Sequence, residues 1–294
     1  MDQIEKDILY WYNKAVYSRL GSDVSVTELL QPVQISHLRS RYKHLTSVTS
    51  MDNIVPSLAG NGLHDQLQRY LRNESLVSGK WQIERNVLGV INNYRVKGRF
   101  DALYNNEVLY DIKTTRAWKF LNGDFTEWEQ QLNIYDYLLF KDGITLKELK
   151  IMGVVLDWQA GKVWDKKYPS SRIQIVKVDQ WSRTQQEGFL SDKVNFWSQY
   201  LSVADKKLPL CTTTERWGSK PVFKLFRTKS SKRATKVFPS NQRAGAYLNA
   251  CYLKDKDKWK DARIDMSVDN QWNRCESWCE VAPHCHQYKN KIEV

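Results

Sequence analysis

The chain has 294 residues, 41% of them hydrophobic, enough to bury a full core in one large domain or two smaller ones. Lys and Arg number 45 against 33 Asp and Glu, a formal net charge of +12, and this surplus favours a polyanionic partner because counterion release from phosphates supplies most non-specific affinity. No apolar run approaches the roughly 20 residues of a spanning helix, and the opening MDQIEKD is no signal peptide; the expectation is a soluble cytoplasmic protein, in the host cytoplasm if phage-encoded, with no membrane partner.

Taken in chain order, Gln3 to Leu20 carries Ile4, Ile8, Trp11 and Ala15 at helical spacing, with Gly21 as a stop. Ser25 or Thr27 caps a short helix through Leu30, which Pro32 ends, and a third helix is expected from Ser36 to about Lys43. After Pro56, Ser57 is the cap of a helix that puts His64, Leu67 and Leu71 on one side, and Gly60 and Gly62 before the histidine allow close approach of another element. Lys80 to Leu88 alternates as one strand that carries Glu84.

The stretch Gly98 to Lys113, GRFDALYNNEVLYDIK, reads as a hairpin turning at Asn105 and Asn106, residues that tolerate positive φ. Side chains alternate across a strand, so Asp111 and Lys113 share one face, as do Lys97, Arg99 and Asp101 on the preceding strand. Pairing then brings Asp101 towards Asp111 and Lys113. Two carboxylates and a lysine suit a hard divalent cation that binds phosphate oxygens and activates water; taken alone, a D-x-K reads first as an ordinary solvated Asp and Lys pair.

Beyond the hairpin, Phe125 to Phe140 has helical spacing with Thr126 as cap, placing Gln131 and Tyr135 four apart on one face. Lys147 to Trp158 contains IMGVVLDW, a run suited to a buried central strand; Ile173 to Val178 alternates as another strand, and Gln185 to Leu201 reads as a helix. Strands alternating with helices predict an α/β core, a mixed sheet flanked by helices.

In order, the chain therefore shows G-x-x-x-H (Gly60 to His64), an acidic residue at Glu84, G-R-x-D (Gly98 to Asp101), D-I-K (Asp111 to Lys113) and Q-x-x-x-Y (Gln131 to Tyr135). Together these motifs resemble the PD-(D/E)XK nuclease superfamily, in its RecB-like branch, over about His64 to Tyr135. The resemblance implies a restriction-endonuclease-like mixed sheet. It also implies Mg2+ or Mn2+ held by Asp101 and Asp111 with His64 and the Ile112 carbonyl. Lys113 would position the attacking water, Gln131 and Tyr135 would orient substrate or support the site, and Glu84 is an additional acidic candidate. Aspartate at 111 replaces the superfamily's more frequent glutamate.

The five cysteines are odd in number and come without a secretory signal, so a disulfide framework is not expected. Cys211 and the clustered Cys275, Cys279 and Cys285 make a four-thiolate set suited to an iron-sulfur cluster or zinc, with His284 or His286 able to replace one thiolate. RecB-like nucleases of the AddB and CRISPR-adaptation types are similar in holding a 4Fe-4S cluster with a C-terminal cysteine triplet and one distant cysteine. Here three residues rather than two separate the first pair, and the distant cysteine follows the core. Cys251, in AYLNACYL, reads as a buried thiol.

Between these cysteines, FKLFRTKSSKRATKVF reads as a hairpin followed by a helix from Asn241 to Leu253, and its cations Lys224, Arg227, Lys229, Lys232, Arg233 and Lys236 have no acid among them. They make either a DNA-guiding wall, fixed against the nuclease core by the cysteine centre, or a solvated loop. The expected organisation is a helical region at 1–52, a nuclease core at 53–205 and a cysteine-ligated basic subdomain at 206–294. Most of the 12 Trp and 15 Tyr belong to the core, and some serve as platforms for unpaired bases. The functional expectation is a metal-dependent DNA exonuclease or end-processing enzyme of phage or bacterial recombination, repair or replication, acting on single-stranded DNA or free ends. The alternatives are a non-catalytic nucleic-acid-binding subunit and a restriction-type endonuclease.

Overall fold

A computed structural model describes residues 2–14, 21–43, 51–268 and 272–292. The chain divides into two compact units, Met1–Leu208 and Pro209–Val294, so the expected regions 1–52 and 53–205 fall within one unit. Among the described residues no helix is long and apolar enough to cross a membrane.

The first unit opens with α1 (Gln3–Lys14), β1 (Val24–Ser25), α2 (Val26–Leu30) and α3 (Val33–Tyr42). The expected extension of α1 to Leu20 lies outside the described residues. Ser25 caps α2 in a reciprocal box with Glu28, as its position before the apolar run requires. The next helix, α4 (Met51–Ser78), is longer than expected: Ser57 lies inside it and does not cap it. Gly60 is where α4 meets the sheet, since a Cβ there would come within 2.8 Å of the Thr114 hydroxyl.

Four strands follow as one bent ribbon: β2 (Trp81–Ile83), β3 (Asn86–Ile91), β4 (Tyr94–Arg99) and β5 (Ala102–Tyr104). The expected single strand from Lys80 to Leu88 is therefore broken, and the break is at Glu84, which takes a left-handed φ of 52°. There the ribbon leaves one sheet and enters another: β2 pairs with β5, and β3 with β4, in the same register on either side. Backbone bonds from Glu84 N to Asp101 O (3.0 Å) and from Phe100 N to Arg85 O (3.3 Å) hold the corner. Because the register does not slip, alternation runs on through the bend and hides it. Asn92 and Asn93, both with positive φ, close β3 onto β4 in a two-residue turn that the sequence reading passes over.

Asn105 and Asn106 also take positive φ and turn β5 into β6 (Val108–Thr115), the expected hairpin. β6 then runs parallel to β7 (Glu148–Val155), which requires a crossover. The crossover consists of α5 (Ala117–Asn122), too short to show a period, and α6 (Thr126–Lys141). Thr126 is the first residue of α6 and not its cap; the Asp124 carboxylate accepts from its backbone N–H at 3.1 Å. β8 (Ile173–Val178) pairs antiparallel at the far edge, and α7 (Arg183–Ser198) begins in a Ser182–Gln185 capping box, two residues before the expected start. The result is a five-stranded sheet in the order β2-β5-β6-β7-β8 and a three-stranded sheet β1-β4-β3, mixed and flanked by helices. The main core joins Leu103, Leu109, Leu149 and Ile151 of the sheet to Leu132, Leu138 and Leu139 of α6. α6 is buried along its whole length from Leu132 to Leu139 and not on a stripe alone.

The second unit contains β9 (Val222–Phe226), β10 (Lys236–Phe238), α8 (Asn241–Lys254), α9 (Lys256–Trp259), β11 (Arg263–Ser267), α10 (Asn273–Ser277) and α11 (His286–Lys289). β9 lies between β10 and β11, and α8 covers a small core of Leu225, Phe238 and Ala244. The expected basic hairpin and helix are present. β11 is an addition, and its Arg263 donates to the carbonyls of Thr228, Lys229 and Ser231 and so fixes the hairpin turn.

Candidate active site

Three elements and the ribbon corner converge on one cluster in the first unit. α4 supplies His64, the corner supplies Asp101, β6 supplies Asp111, Ile112 and Lys113, and the crossover helix α6 supplies Gln131 and Tyr135. Asp101 stands one residue before β5, where the ribbon bends. Its Oδ1 lies 3.0 Å from His64 Nε2, and its Oδ2 accepts from the Ile112 N–H at 2.6 Å. Within a strand the N–H and C=O of one residue face the same edge. The Ile112 carbonyl therefore also faces Asp101, on the side away from β7.

Lys113 joins the two halves of the cluster. Its Nζ donates to Asp111 Oδ1 at 3.1 Å and to Gln131 Oε1 at 3.0 Å, and Gln131 Nε2 donates to the Tyr135 hydroxyl at 2.9 Å. Tyr135 is buried, and Gly98 makes room for it: a Cβ at Gly98 would lie 2.6 Å from the tyrosine ring. Asp111 is only 2% exposed. Lys113 Nζ also stands 2.9 Å from Asp111 Oδ2, an ionic approach, and that oxygen has no hydrogen-bond partner.

These environments set the charges. Burial pushes the Asp111 carboxyl up to about 6 against the pull of Lys113, with Asp101 adding to the rise. Burial disfavours the Lys113 ammonium, but the Asp111 and Asp101 charges outweigh it and raise its pKa. The hydrogen bond to Asp101 raises the His64 imidazole, opposed by burial. The site is thus two carboxylates, an imidazole and an ammonium in a half-dry setting, with more acid than its single lysine fully offsets.

Glu84 sits at the same corner, where its carboxylate pairs with Arg72 and Arg99. Gln68, which the sequence reading passes over, is fully buried one helical turn beyond His64, with its Nε2 3.4 Å from His64 Nε2 and its Oε1 unpartnered. Its signal was the i,i+4 spacing from His64, the same spacing that singled out Gln131 and Tyr135.

In the second unit, hydrogen bonds tie the segments that carry the cysteines to one another. Cys211 N donates to Gln287 Oε1 and Gln287 Nε2 donates to Cys211 O, each at 2.8 Å, two residues from Cys285. Arg274 N donates to Arg216 O at 3.0 Å, and Cys279 N to Arg274 O at 2.7 Å. Burial raises the Cys211 thiol, and the charges of Glu215, Cys285, Cys279 and Cys275 raise it further; Cys275 is pushed up to about 11, first by burial and then by Cys279 and Cys285. Cys251 lies apart on α8 and is half-buried, not the buried thiol expected. Arg216, beside the other four cysteines, is 1% exposed with its guanidinium 4.0 Å over the Trp272 ring, and its Nε and Nη1 have no partner. Among the described residues, no three His, Cys, Asp or Glu side chains in either unit are grouped closely enough to hold a metal ion as they stand.

Of the expected DNA-contacting cations, Arg227, Lys229, Lys232 and Arg233 are exposed in the hairpin turn. Lys224 instead turns inward to the Ser267 hydroxyl at 2.9 Å, and Lys236 lies 4.2 Å over the Tyr247 ring.

No protein-family model matches the chain, and no curated protein matches it. Among solved structures it is similar to the protein crystallised as SSO0001, at 20% identity over 65% of this chain and 83% of that one, with a TM-score of 0.45. It is also similar to a "putative exonuclease" from Eubacterium rectale, at 11% identity over 64% of this chain and 88% of that one, TM-score 0.41. A third is LHK-Exo, crystallised in complex with dAMP, at 13% identity over 62% of this chain and 94% of that one, TM-score 0.33. With these three TM-scores below 0.5, the functional reading rests on the site itself.

Proposed function

We propose that the protein is a divalent-metal-dependent DNA nuclease of the PD-(D/E)XK type, RecB-like, that processes single-stranded DNA or DNA ends in phage or bacterial recombination, repair or replication. The observation that carries this reading is Asp111: a carboxylate 2% exposed and grouped with Asp101, the Lys113 ammonium being the one cation among the described residues paired with it and standing 2.9 Å from an oxygen that makes no hydrogen bond. A buried acidic group costs free energy unless it is paired or coordinates a metal, and its oxygens suit Mg2+ or Mn2+.

Asp101, Asp111, His64 Nε2 and the Ile112 carbonyl would hold the ion, which when bound supplies Lewis-acid activation of water and phosphate. Lys113 would place its ammonium where charge builds on the phosphate, a role suited to a compact cation. Gln131 fixes that ammonium by accepting its hydrogen bond, and Tyr135 in turn fixes Gln131. Gln68 stands beside His64, its amide nitrogen 3.4 Å from the imidazole. Glu84, balanced by two arginines, shapes the corner that presents Asp101.

Cys211, Cys275, Cys279 and Cys285 would hold a 4Fe-4S cluster or Zn2+. Four thiolates give such a centre net negative charge, and the buried Arg216, with two N–H groups unpartnered, suits it. The centre would staple a unit whose apolar core is small. The exposed turn cations Arg227, Lys229, Lys232 and Arg233 would contact DNA phosphates.

The test is degradation of end-labelled linear, circular and single-stranded DNA with Mn2+. Wild type should cleave, whereas Asp111→Ala and Lys113→Ala should bind DNA without cleaving it. Cleavage that survives both substitutions overturns the assignment, and discrete fragments from circular DNA would replace end processing with restriction-type action.

A further inference from the structure

The strand that carries Lys113 runs directly into a surface that neither the catalytic cluster nor the basic hairpin uses. β6 ends at Thr115, and α5 follows after Arg116. α5 is tightly anchored. Its Phe120 packs in the aromatic group of Phe125 and Trp128, and a Cβ on Gly153 of β7 would lie 2.5 Å from the Phe120 ring. Lys119 Nζ stands 5.0 Å over the ring of Trp128, one helical turn before Gln131. Yet Trp118, on the same short helix, is 56% exposed. A tryptophan on a rigid mount with more than half of its surface in water leaves much of its apolar area uncovered.

The loop from Leu156 to Arg172 packs on α5. Ala117, Val155 and Tyr168 form a buried cluster with Phe120 and Trp158 against it. Asp157 Oδ1 accepts from the Ala117 N–H at 2.7 Å, and Leu156 N donates to Thr115 O at 2.9 Å. The loop is internally fastened as well, by Trp158 Nε1 to Pro169 O and by Gln159 N to the Tyr168 hydroxyl, each at 2.9 Å. It presents a second exposed tryptophan, Trp164, at 84%.

Charge says what covers these rings. Residues 114–122 and 156–172 together hold six cations, Arg116, Lys119, Lys162, Lys166, Lys167 and Arg172, against two aspartates. Both aspartates are occupied by backbone N–H groups, Asp157 as above and Asp165 from Lys167 N at 3.0 Å. Among the described residues none of the six cations is ion-paired with a carboxylate. An apolar protein partner would bury these cations at a cost, whereas a strand with phosphates along one edge and unpaired bases along the other satisfies cations and rings together.

We infer that α5 and the 156–172 loop form a single-strand-binding platform at the exit of the catalytic strand, with Trp118 and Trp164 stacking unpaired bases while Arg116, Lys166 and Lys167 contact phosphates. The inference rests on the nuclease reading and names the substrate form of that site: a strand with unstacked bases next to the scissile phosphate. A continuous duplex has its bases paired and offers the rings nothing to stack on.

Binding measured in EDTA separates this platform from catalysis. The anisotropy of fluorescein-labelled oligo(dT), and of a blunt hairpin duplex, is titrated with wild type and with Trp118→Ala, Trp118→Phe, Trp164→Ala and the Lys166→Ala/Lys167→Ala pair, all matched by circular dichroism and melting temperature. Trp118→Ala should weaken oligo(dT) binding by roughly 5- to 100-fold while Trp118→Phe keeps most of the affinity, because a ring and not a bond is required. The lysine pair should reduce the slope of log K against log salt by roughly 1.4. Duplex affinity should stay within about twofold in the tryptophan variants. The platform is overturned if a Trp118→Ala/Trp164→Ala protein binds oligo(dT) like wild type, or if oligo(dT) and duplex affinity fall together. Such a result leaves cleavage by the wild type untouched, and a protein that binds as described but cleaves nothing would sink the nuclease reading instead.

Discussion

Each unit buries, within its cluster of candidate ligands, a charged group with an atom that makes no hydrogen bond, and the two groups have opposite sign. In the first unit it is the carboxylate of Asp111, whose Oδ2 makes no hydrogen bond and meets the Lys113 ammonium at 2.9 Å; in the second it is the guanidinium of Arg216, whose Nε and Nη1 make none. A buried, under-compensated charge costs several kcal/mol, so each fold tolerates it for something of the other sign. The acid suits a hard cation. The arginine, set beside four cysteines, suits an anionic thiolate centre. The same comparison separates chemistry from construction: the acid adjoins a lysine that can meet phosphate, whereas the arginine is shut in against Trp272.

The largest expected effect lies in the second unit. Cys279→Ala should abolish metal retention and loosen the unit as a whole, because binding free energy at a structural thiolate site is folding free energy, of order 10 kcal/mol. Protein prepared without oxygen should be brown and lose its visible absorbance in this variant. Colourless protein with stoichiometric zinc would settle the choice of metal against iron-sulfur, and wild-type protein with neither metal would remove the centre altogether. Next, Arg216→Met should weaken metal retention by roughly 10- to 100-fold in chelator competition, the range for partners that support metal ligands. Retention equal to wild type would break the parallel between the two units.

The matching substitution in the first unit should act in the opposite direction on stability. Asp111 has its folded pKa raised from 3.8 to about 6. A raised carboxyl contributes stability below its unfolded value, and that contribution is lost as pH rises through the folded value. At pH 8 the ionised group is therefore a burden in metal-free protein, offset in part by the Lys113 ammonium. Asp111→Asn should stabilise the metal-free chain to urea at pH 8, and its advantage should shrink as pH falls below 6. A stabilisation that does not vary with pH would show that the carboxylate's charge is not the cause. The smallest effect is steric: Gly98→Ala should cost about 1–3 kcal/mol, because its Cβ meets the buried Tyr135 ring at 2.6 Å. The companion variant Gly98→Ala/Tyr135→Leu should recover part of that loss.

Much of the fold was legible because β6, β7, β8 and α6 have long periods or continuous apolar runs. The bend at Glu84 was not, since the ribbon turns without a register slip and alternation passes straight through it. α5 has only six residues, and β11 is half-buried at all but its exposed Met266, so neither shows a clear pattern. At the site, the D-I-K and Q-x-x-x-Y residues fell on predicted elements, and the parallel crossover explains why they meet: α6 returns across the strand that carries Lys113. Gln68 carried only its i,i+4 spacing from His64, outside any motif, and Arg216 carried no signal. A lone glutamine or arginine acquires meaning only when burial strips it of water, and burial comes from segments distant in sequence.

The central claim is that the acidic cluster around Asp111 binds a divalent ion and hydrolyses phosphodiesters. Its most direct test is a Mn2+ titration of single-stranded DNA cleavage by wild type and Asp111→Asn side by side. The account predicts saturable, metal-dependent cleavage by wild type and a loss of at least about 10³-fold in the variant with DNA binding retained. Equal cleavage by the two proteins, or none by wild type at any metal concentration, would contradict it.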